Sequence, residues 1–82
     1  MLTLYQFEDC PCCQTVRQKL SDMEMTYISV CVSPQHVERG AVRRVSGQSQ
    51  VPVLVDGDTV LTDEQDIIPY LERNYARGGV RV

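Results

Sequence analysis

The stretch "LTLYQFEDCPCCQTVRQKL" (residues 2–20) decides how the chain is read. Its opening, "LTLYQF" (2–7), carries apolar side chains on both alternating phases, as a strand buried on both faces does. Cys10-Pro11 then breaks the alternation. From Cys13 the apolar side chains fall at Cys13, Val16, Leu20 and Met23, a helical spacing that leaves Arg17, Lys19 and Asp22 for water. Proline is favoured at the first helical position, where its missing N–H costs nothing. Cys10 is therefore the expected N-cap of a helix over 11–24.

The rest of the chain extends this start. "TYISVCV" (26–32) is β-branched and aromatic and reads as a second strand. A strand–helix–strand unit with so long a crossover is parallel and right-handed. Ser33-Pro34 repeats the cap-then-proline start. It predicts a helix over 34–46 with Val37, Ala41 and Val45 as its apolar stripe and Gly47 as its stop. "QVPVLVDGDTVLT" (50–62) predicts a hairpin, because Val53–Val55 and Thr59–Leu61 flank Asp56-Gly57-Asp58. A last helix starts near Glu64, with Ile67, Ile68, Leu71 and Tyr75 inward and Pro69 close to the permissive first turn. "ARGGVRV" (76–82) has no periodicity and reads as a flexible tail. The order β-α-β-α-β-β-α describes one α/β domain over 1–75, a four-stranded mixed sheet with three helices.

Composition narrows the function. Eighty-two residues make one domain. With no Trp and a single Phe, Val, Ile and Leu must build the core. No apolar run approaches the ~18 residues that span a bilayer, and the start lacks the pattern of a signal peptide. A cytoplasmic monomer with no membrane partner is expected. A formal charge of −3 argues against nucleic acid. The Arg39, Arg43 and Arg44 cluster and the acidic run Asp56, Asp58, Asp63, Glu64 and Asp66 read mainly as solvated surface.

In a reducing cytosol, clustered cysteines are more often catalytic or metal-binding than structural. Cys10, Cys13, Cys31 and His36 do spell C-x2-C-x17-C-x4-H, a spacing that zinc can use. Against it, the strand around Cys31 can bury that residue as a small hydrophobe, and His36 falls in the first turn of a helix, where a solvated imidazole is commoner. No metal ligand set is therefore assigned. An N-cap side chain faces unsatisfied N–H groups and the positive end of the helix dipole, which favour a thiolate. Cys13 lies one turn on and on the same face as Cys10, within disulfide reach. Cys12 lies roughly 200° around the helix from Cys10. Cys10 and Cys13 form the couple and Cys12 is the odd thiol.

With "LYQFEDCPCC" (4–13), "SGQSQVPVLVDGD" (46–58) and "LTDEQDIIPYL" (61–71), the chain resembles glutaredoxins. It is also similar to the glutathione-binding N-terminal domain of glutathione transferases. The resemblance spans residues 1 to about 75 and implies a thioredoxin-like fold. It implies glutathione as co-substrate without a tightly bound cofactor, and disulfides or glutathionylated proteins as substrates. Carried over, Cys10 attacks and Cys13 resolves the mixed disulfide. Pro11 and Cys12 would line the glutathione groove, Cys12 standing where the family usually has an aromatic residue. Glu8 and Asp9 precede the nucleophile where many members carry Lys or Arg, and acids there oppose thiolate formation. Val51-Pro52 matches the family's cis-proline, whose preceding backbone pairs with an incoming cysteinyl backbone. Asp63 and Glu64 fall at the γ-glutamyl site at a helix start. Arg39 falls either at the glycyl carboxylate, which suits a guanidinium, or on a solvated helix face. The resemblance leaves three other readings open: an iron–sulfur cluster shared between chains, a glutathione-binding module without turnover, and an electron donor reduced by thioredoxin reductase. The intact Cys10/Cys13 pair favours turnover, while Arg39 and Asp63 separate glutathione from thioredoxin reductase.

Overall fold

Residues 2–75 are described by a computed structural model of the chain, so the expected tail over 76–82 lies outside the described residues. Strand β1 (Leu2–Gln6) leads into helix α1 (Pro11–Asp22) and strand β2 (Tyr27–Cys31). A 3-10 turn (His36–Glu38) and helix α2 (Gly40–Ser46) follow, then strands β3 (Val53–Asp56) and β4 (Thr59–Leu61) and helix α3 (Glu64–Asn74). The sheet order is β2-β1-β3-β4. The β1–β2 pair is parallel, and the other two pairs are antiparallel. A parallel pair needs a long crossover, which α1 supplies. This is the expected four-stranded mixed sheet in a thioredoxin-like order.

Period-two alternation sorts the strands into two faces. Leu2 and Leu4 of β1 and Leu54 of β3 meet Val16 and Leu20 of α1, Met23, and Ile67 and Leu71 of α3 in one core. Val42 of α2 and Val53 of β3 are fully buried outside that cluster. Strand β1 is less symmetric than expected: Leu2, Leu4 and Gln6 are buried, whereas Thr3 and Tyr5 are half-buried. Strand β2 is an edge strand, and Cys31 at its end is exposed rather than buried.

Helix α1 stops before the expected residue 24. Met25 N–H donates to Leu20 O at 2.9 Å and Glu24 N–H to Ser21 O at 3.0 Å, while Glu24 takes a left-handed φ of 57°. This pair of bonds closes a Schellman stop, and with Glu in place of the usual glycine it leaves no mark in the sequence. The expected helix over 34–46 is also broken. Arg39 (φ −98°, ψ 54°) bends the chain between the 3-10 turn and α2. Val37 ends up 79% exposed, and Val42 takes the buried place. Gly47 does stop the helix, at a φ of 79°. Helix α3 begins at Glu64 as expected, but Pro69 lies inside it, past the first turn.

Candidate functional site

Register brings the loops of interest to one end of the sheet. Tyr5 pairs with Val53, so the segment after β1 and the Val51-Pro52 segment before β3 leave the same edge. Leu61 pairs with Leu54, so the start of α3 arrives there too. The Val51-Pro52 peptide is cis, and Pro52 is buried.

Cys10 caps α1. Its Sγ accepts the Cys13 backbone N–H at 3.3 Å. Its own N–H donates to Phe7 O at 3.3 Å, and its carbonyl receives Gln14 N–H at 2.9 Å. Proline follows at the first helical position, so the motif folds as its sequence dictates. Cys10 is 9% exposed and Cys13 not at all. Cys12 is exposed, and all four thiols are free. Burial first, and then the hydrogen bond with Cys10, hold the Cys13 thiol above its ordinary 9.0, against the lowering pull of the Phe7 backbone and Arg17. One sulfur thus sits at the helix N-terminus as an acceptor, and a protonated thiol is sequestered one turn inside.

The start of α3 closes the other side. Asp63 is its N-cap and accepts Gln65 N–H at 2.9 Å. Among the described residues, the enclosed Glu64 Oε1 has no hydrogen-bond partner. Interaction with the Glu64 carboxylate, then burial and the charges of Glu64, Cys10 and Asp63, push the Cys12 thiol up to about 11. The structure therefore brings Cys10, Cys12, Asp63 and Glu64 into one neighbourhood, with the odd thiol kept protonated.

Arg39 departs from both sequence expectations. It lies neither on a solvated face nor at an open ligand groove, because it is 3% exposed. Its Nε donates to Ser33 O at 2.7 Å, Nη1 to Ser49 O at 2.7 Å and Nη2 to Pro34 O at 3.3 Å. Its guanidinium carbon stands 5.2 Å from the centre of the Phe7 ring. The bend at Arg39 turns the side chain back into the fold, where it ties the loop after β2 to the loop before Pro52. Arg43, by contrast, stays exposed.

Sequence reasoning missed Gln6 and Arg17. Gln6 is 2% exposed and shares the phase of Leu2 and Leu4. Its Oε1 accepts Arg17 Nη1 at 2.5 Å, and its Nε2 donates to Ser29 Oγ at 2.8 Å and to Cys31 Sγ at 3.5 Å. Arg17, expected in water, also donates to Phe7 O at 3.4 Å and Glu8 O at 3.1 Å. An amide in the apolar phase of a strand was the available signal, because buried polar groups need partners. Among the described residues, no group of three or more His, Cys, Asp or Glu is gathered as a metal ion would need.

The family model for the glutathione S-transferase N-terminal domain matches residues 4–79. A glutaredoxin-like 8.6 kDa protein from the rubredoxin operon of Clostridium pasteurianum is 31% identical over 62 residues, covering 74% of this chain and 83% of that protein. Among solved structures, human glutathione S-transferase T1-1 superposes with a TM-score of 0.82 at 29% identity, over 92% of this chain and 32% of that one. A Drosophila mojavensis glutathione transferase homologue with bound glutathione gives a TM-score of 0.85 at 26% identity, over 93% and 36%. The chain thus spans about a third of the length of the solved structures it matches.

Proposed function

The chain belongs to the family of glutathione S-transferase N-terminal domains, and from that premise we propose that it is a small dithiol oxidoreductase using glutathione. The observation that carries the reading is Cys10 capping α1 and receiving the Cys13 N–H, with Cys13 buried one turn on. A capping thiolate at a helix N-terminus is the attacking form. Cys10 attacks the glutathione sulfur of a mixed disulfide and forms a Cys10–glutathione disulfide, and the released substrate thiolate takes up a proton. The thiolate of a second glutathione then attacks that glutathione sulfur, restoring Cys10 and leaving oxidised glutathione. With a protein disulfide, Cys10 attacks one sulfur and expels the other as a thiolate, which takes up a proton. Cys13 then gives up its proton and attacks the Cys10 sulfur of that mixed disulfide, expelling the second substrate thiolate and forming the internal disulfide, which two glutathiones reduce with release of oxidised glutathione.

Within this reading, Pro11, Cys12, Val51, Pro52, Asp63 and Glu64 line the glutathione site. Arg39 is reassigned to the framework, since its donors already serve three carbonyls. That reassignment favours one second reading, a dithiol electron donor reduced by thioredoxin reductase. Such a protein needs no cation at a glutathione carboxylate.

Both readings are tested with Ser variants of the three clustered thiols, assayed with glutathione and separately with thioredoxin reductase. Cys10→Ser should abolish exchange in every assay. Cys13→Ser should block reduction of protein disulfides and spare turnover of glutathionylated peptides. Cys12→Ser should change either rate by only about two- to threefold, because its thiol stays protonated beside Glu64. Mass spectrometry of the oxidised protein should map a Cys10–Cys13 bridge. A bridge through Cys12, or full activity in Cys10→Ser, would overturn the assignment. Activity with thioredoxin reductase alone selects the second reading.

A further inference from the structure

We infer that Arg17, held by Gln6, is a positioning residue for the Cys10/Cys13 pair, an inference that rests on the thiol–disulfide reading above. Three carbonyl or amide acceptors converge on one guanidinium. Nη1 donates to Gln6 Oε1 and Phe7 O, and Nη2 donates to Glu8 O. Phe7 O is also the acceptor of the Cys10 N–H at 3.3 Å. The guanidinium therefore grips the turn that delivers the nucleophile, at the carbonyl where the nucleophile's own amide is anchored. Glu8 Oε2 stands 4.0 Å from Nη2, so one of the two acids before Cys10 is drawn toward Arg17.

The grip is anchored from behind. The Gln6 amide is buried, and it spends its oxygen on Arg17 and its nitrogen on Ser29 and Cys31 of β2. A rigid strand residue thus fixes the arginine, and the arginine fixes the loop. Sites held by side chains that are themselves locked in place keep catalytic groups in register. Arg17 follows Cys13 by one turn of α1, on the same face, and its charge only partly offsets the burial and the Cys10 hydrogen bond that raise the Cys13 thiol. A planar fork reaches several acceptors at once, which a lysine ammonium on a single stem does not reproduce.

The test uses Arg17→Met, Arg17→Lys and Gln6→Met in the full chain, with Lys19→Met as control. Lys19 lies on the same helix in an exposed ion pair with Glu72 at 2.7 Å. Two readouts are taken: steady-state reduction of a glutathionylated peptide, and amide hydrogen exchange at Cys10 and Cys13, which requires no turnover. Arg17→Met should lower kcat about tenfold with KM within about twofold, since the arginine grips the loop rather than the substrate. Exchange at the Cys10 and Cys13 amides should rise about tenfold while core amides such as Leu4 and Leu54 hold. Arg17→Lys should resemble Arg17→Met, Gln6→Met should shift both readouts in the same direction by less, and Lys19→Met should match the wild type. Unchanged exchange at both amides in Arg17→Met, or exchange rising equally across the core, would overturn the positioning role. A wild-type protein that reduces no disulfide would instead sink the oxidoreductase reading, while the exchange data still decide whether Arg17 holds the turn.

Discussion

On the α1/α3 side of the sheet, Leu2, Leu4, Leu54, Val16, Leu20, Met23, Ile67 and Leu71 form a continuous apolar core. The other side has Val42 and Val53 fully buried, leaves Ile28 and Val60 52% and 39% exposed, and holds its loops with a buried cation. Arg39 fastens the carbonyls of Ser33, Pro34 and Ser49 and stands over Phe7. One side is built by area removed from water, which is non-directional and accepts changes of similar volume. The other is built by directed hydrogen bonds from a charge, which only the right donor geometry satisfies. The contrast separates what sets the fold from what ties the loops after β2 and before Pro52, while on the apolar side Gln6 and Arg17 hold the turn after β1 in the same directed way.

The largest effect should come from the apolar side. Leu20→Ala removes a side chain with no exposed surface from the α1/α3 core. It should lower the unfolding free energy by about 3 kcal/mol, and Leu20→Met by about 1 kcal/mol or less. Urea titration measures both, and a loss below about 1 kcal/mol for Leu20→Ala would break the contrast.

Next comes the cation. Arg39→Met should cost about 2 kcal/mol, because it strands carbonyls that a charged donor had satisfied. Arg39→Lys should recover only part of that, since one ammonium cannot span three acceptors. Because the group is buried, the loss should barely change between low and high salt. A stable Arg39→Met protein with a glutathione KM raised several-fold would instead return Arg39 to the ligand groove.

The smallest effect concerns the clasp that ties α3 to the hairpin. Tyr75 and Tyr70 both donate to Asp56 Oδ2, at 2.5 Å and 2.7 Å. The Tyr75 bond holds the Asp56 carboxyl below its ordinary 3.8, with burial opposing and Tyr70 adding. The same bond, then burial, pushes the Tyr75 hydroxyl up to about 12 from its ordinary 10.0. The signs bracket a window. Asp56's contribution is complete above its unfolded value and is lost as pH falls through the lower folded one. Tyr75's is complete below 10.0 and is lost as pH rises toward about 12. Asp56→Asn should cost about 0.5–1 kcal/mol near neutrality after solvent screening, and the difference from wild type should shrink at both pH extremes. A difference that stays flat with pH would mean the clasp contributes through packing alone.

The apolar side was readable because its signals are periodic and local. Cys10-Pro11 marked the helix start, and Leu20 fell in a helical stripe. Asp56-Gly57 marked the hairpin, with Gly57 at a φ of 61°. Glu64 opened α3, whereas the cis Val51-Pro52 peptide was implied by the family resemblance and not by periodicity. The cation-held side was not readable, since an arginine between a 3-10 turn and a short helix looks like any surface arginine. Its burial depends on a backbone bend at Arg39 that no periodicity encodes. Asp56 misled in the same way, as an acid in an acidic run that two tyrosines claim. Gln6 and Arg17 meet across the β1–α1 step, and neither residue alone announces the other. Around the candidate site, the motif residues were legible and the side chains that hold them were not.

Phe7 lies between these two regions. Its ring faces Arg39, and its carbonyl serves both Arg17 and the Cys10 amide. In lineages descended from a common ancestor of this chain, positions 6 and 17 should drift as one pair and positions 7 and 39 as another, because Phe7 meets Arg17 only through its backbone carbonyl. A descendant that loses the arginine at 39 is released from keeping an aromatic at 7, and one that loses Arg17 is released from keeping an amide at 6. The inherited unit around the Cys-Pro-Cys-Cys motif is then wider than the motif, and it includes two arginines that lie on opposite faces of the sheet.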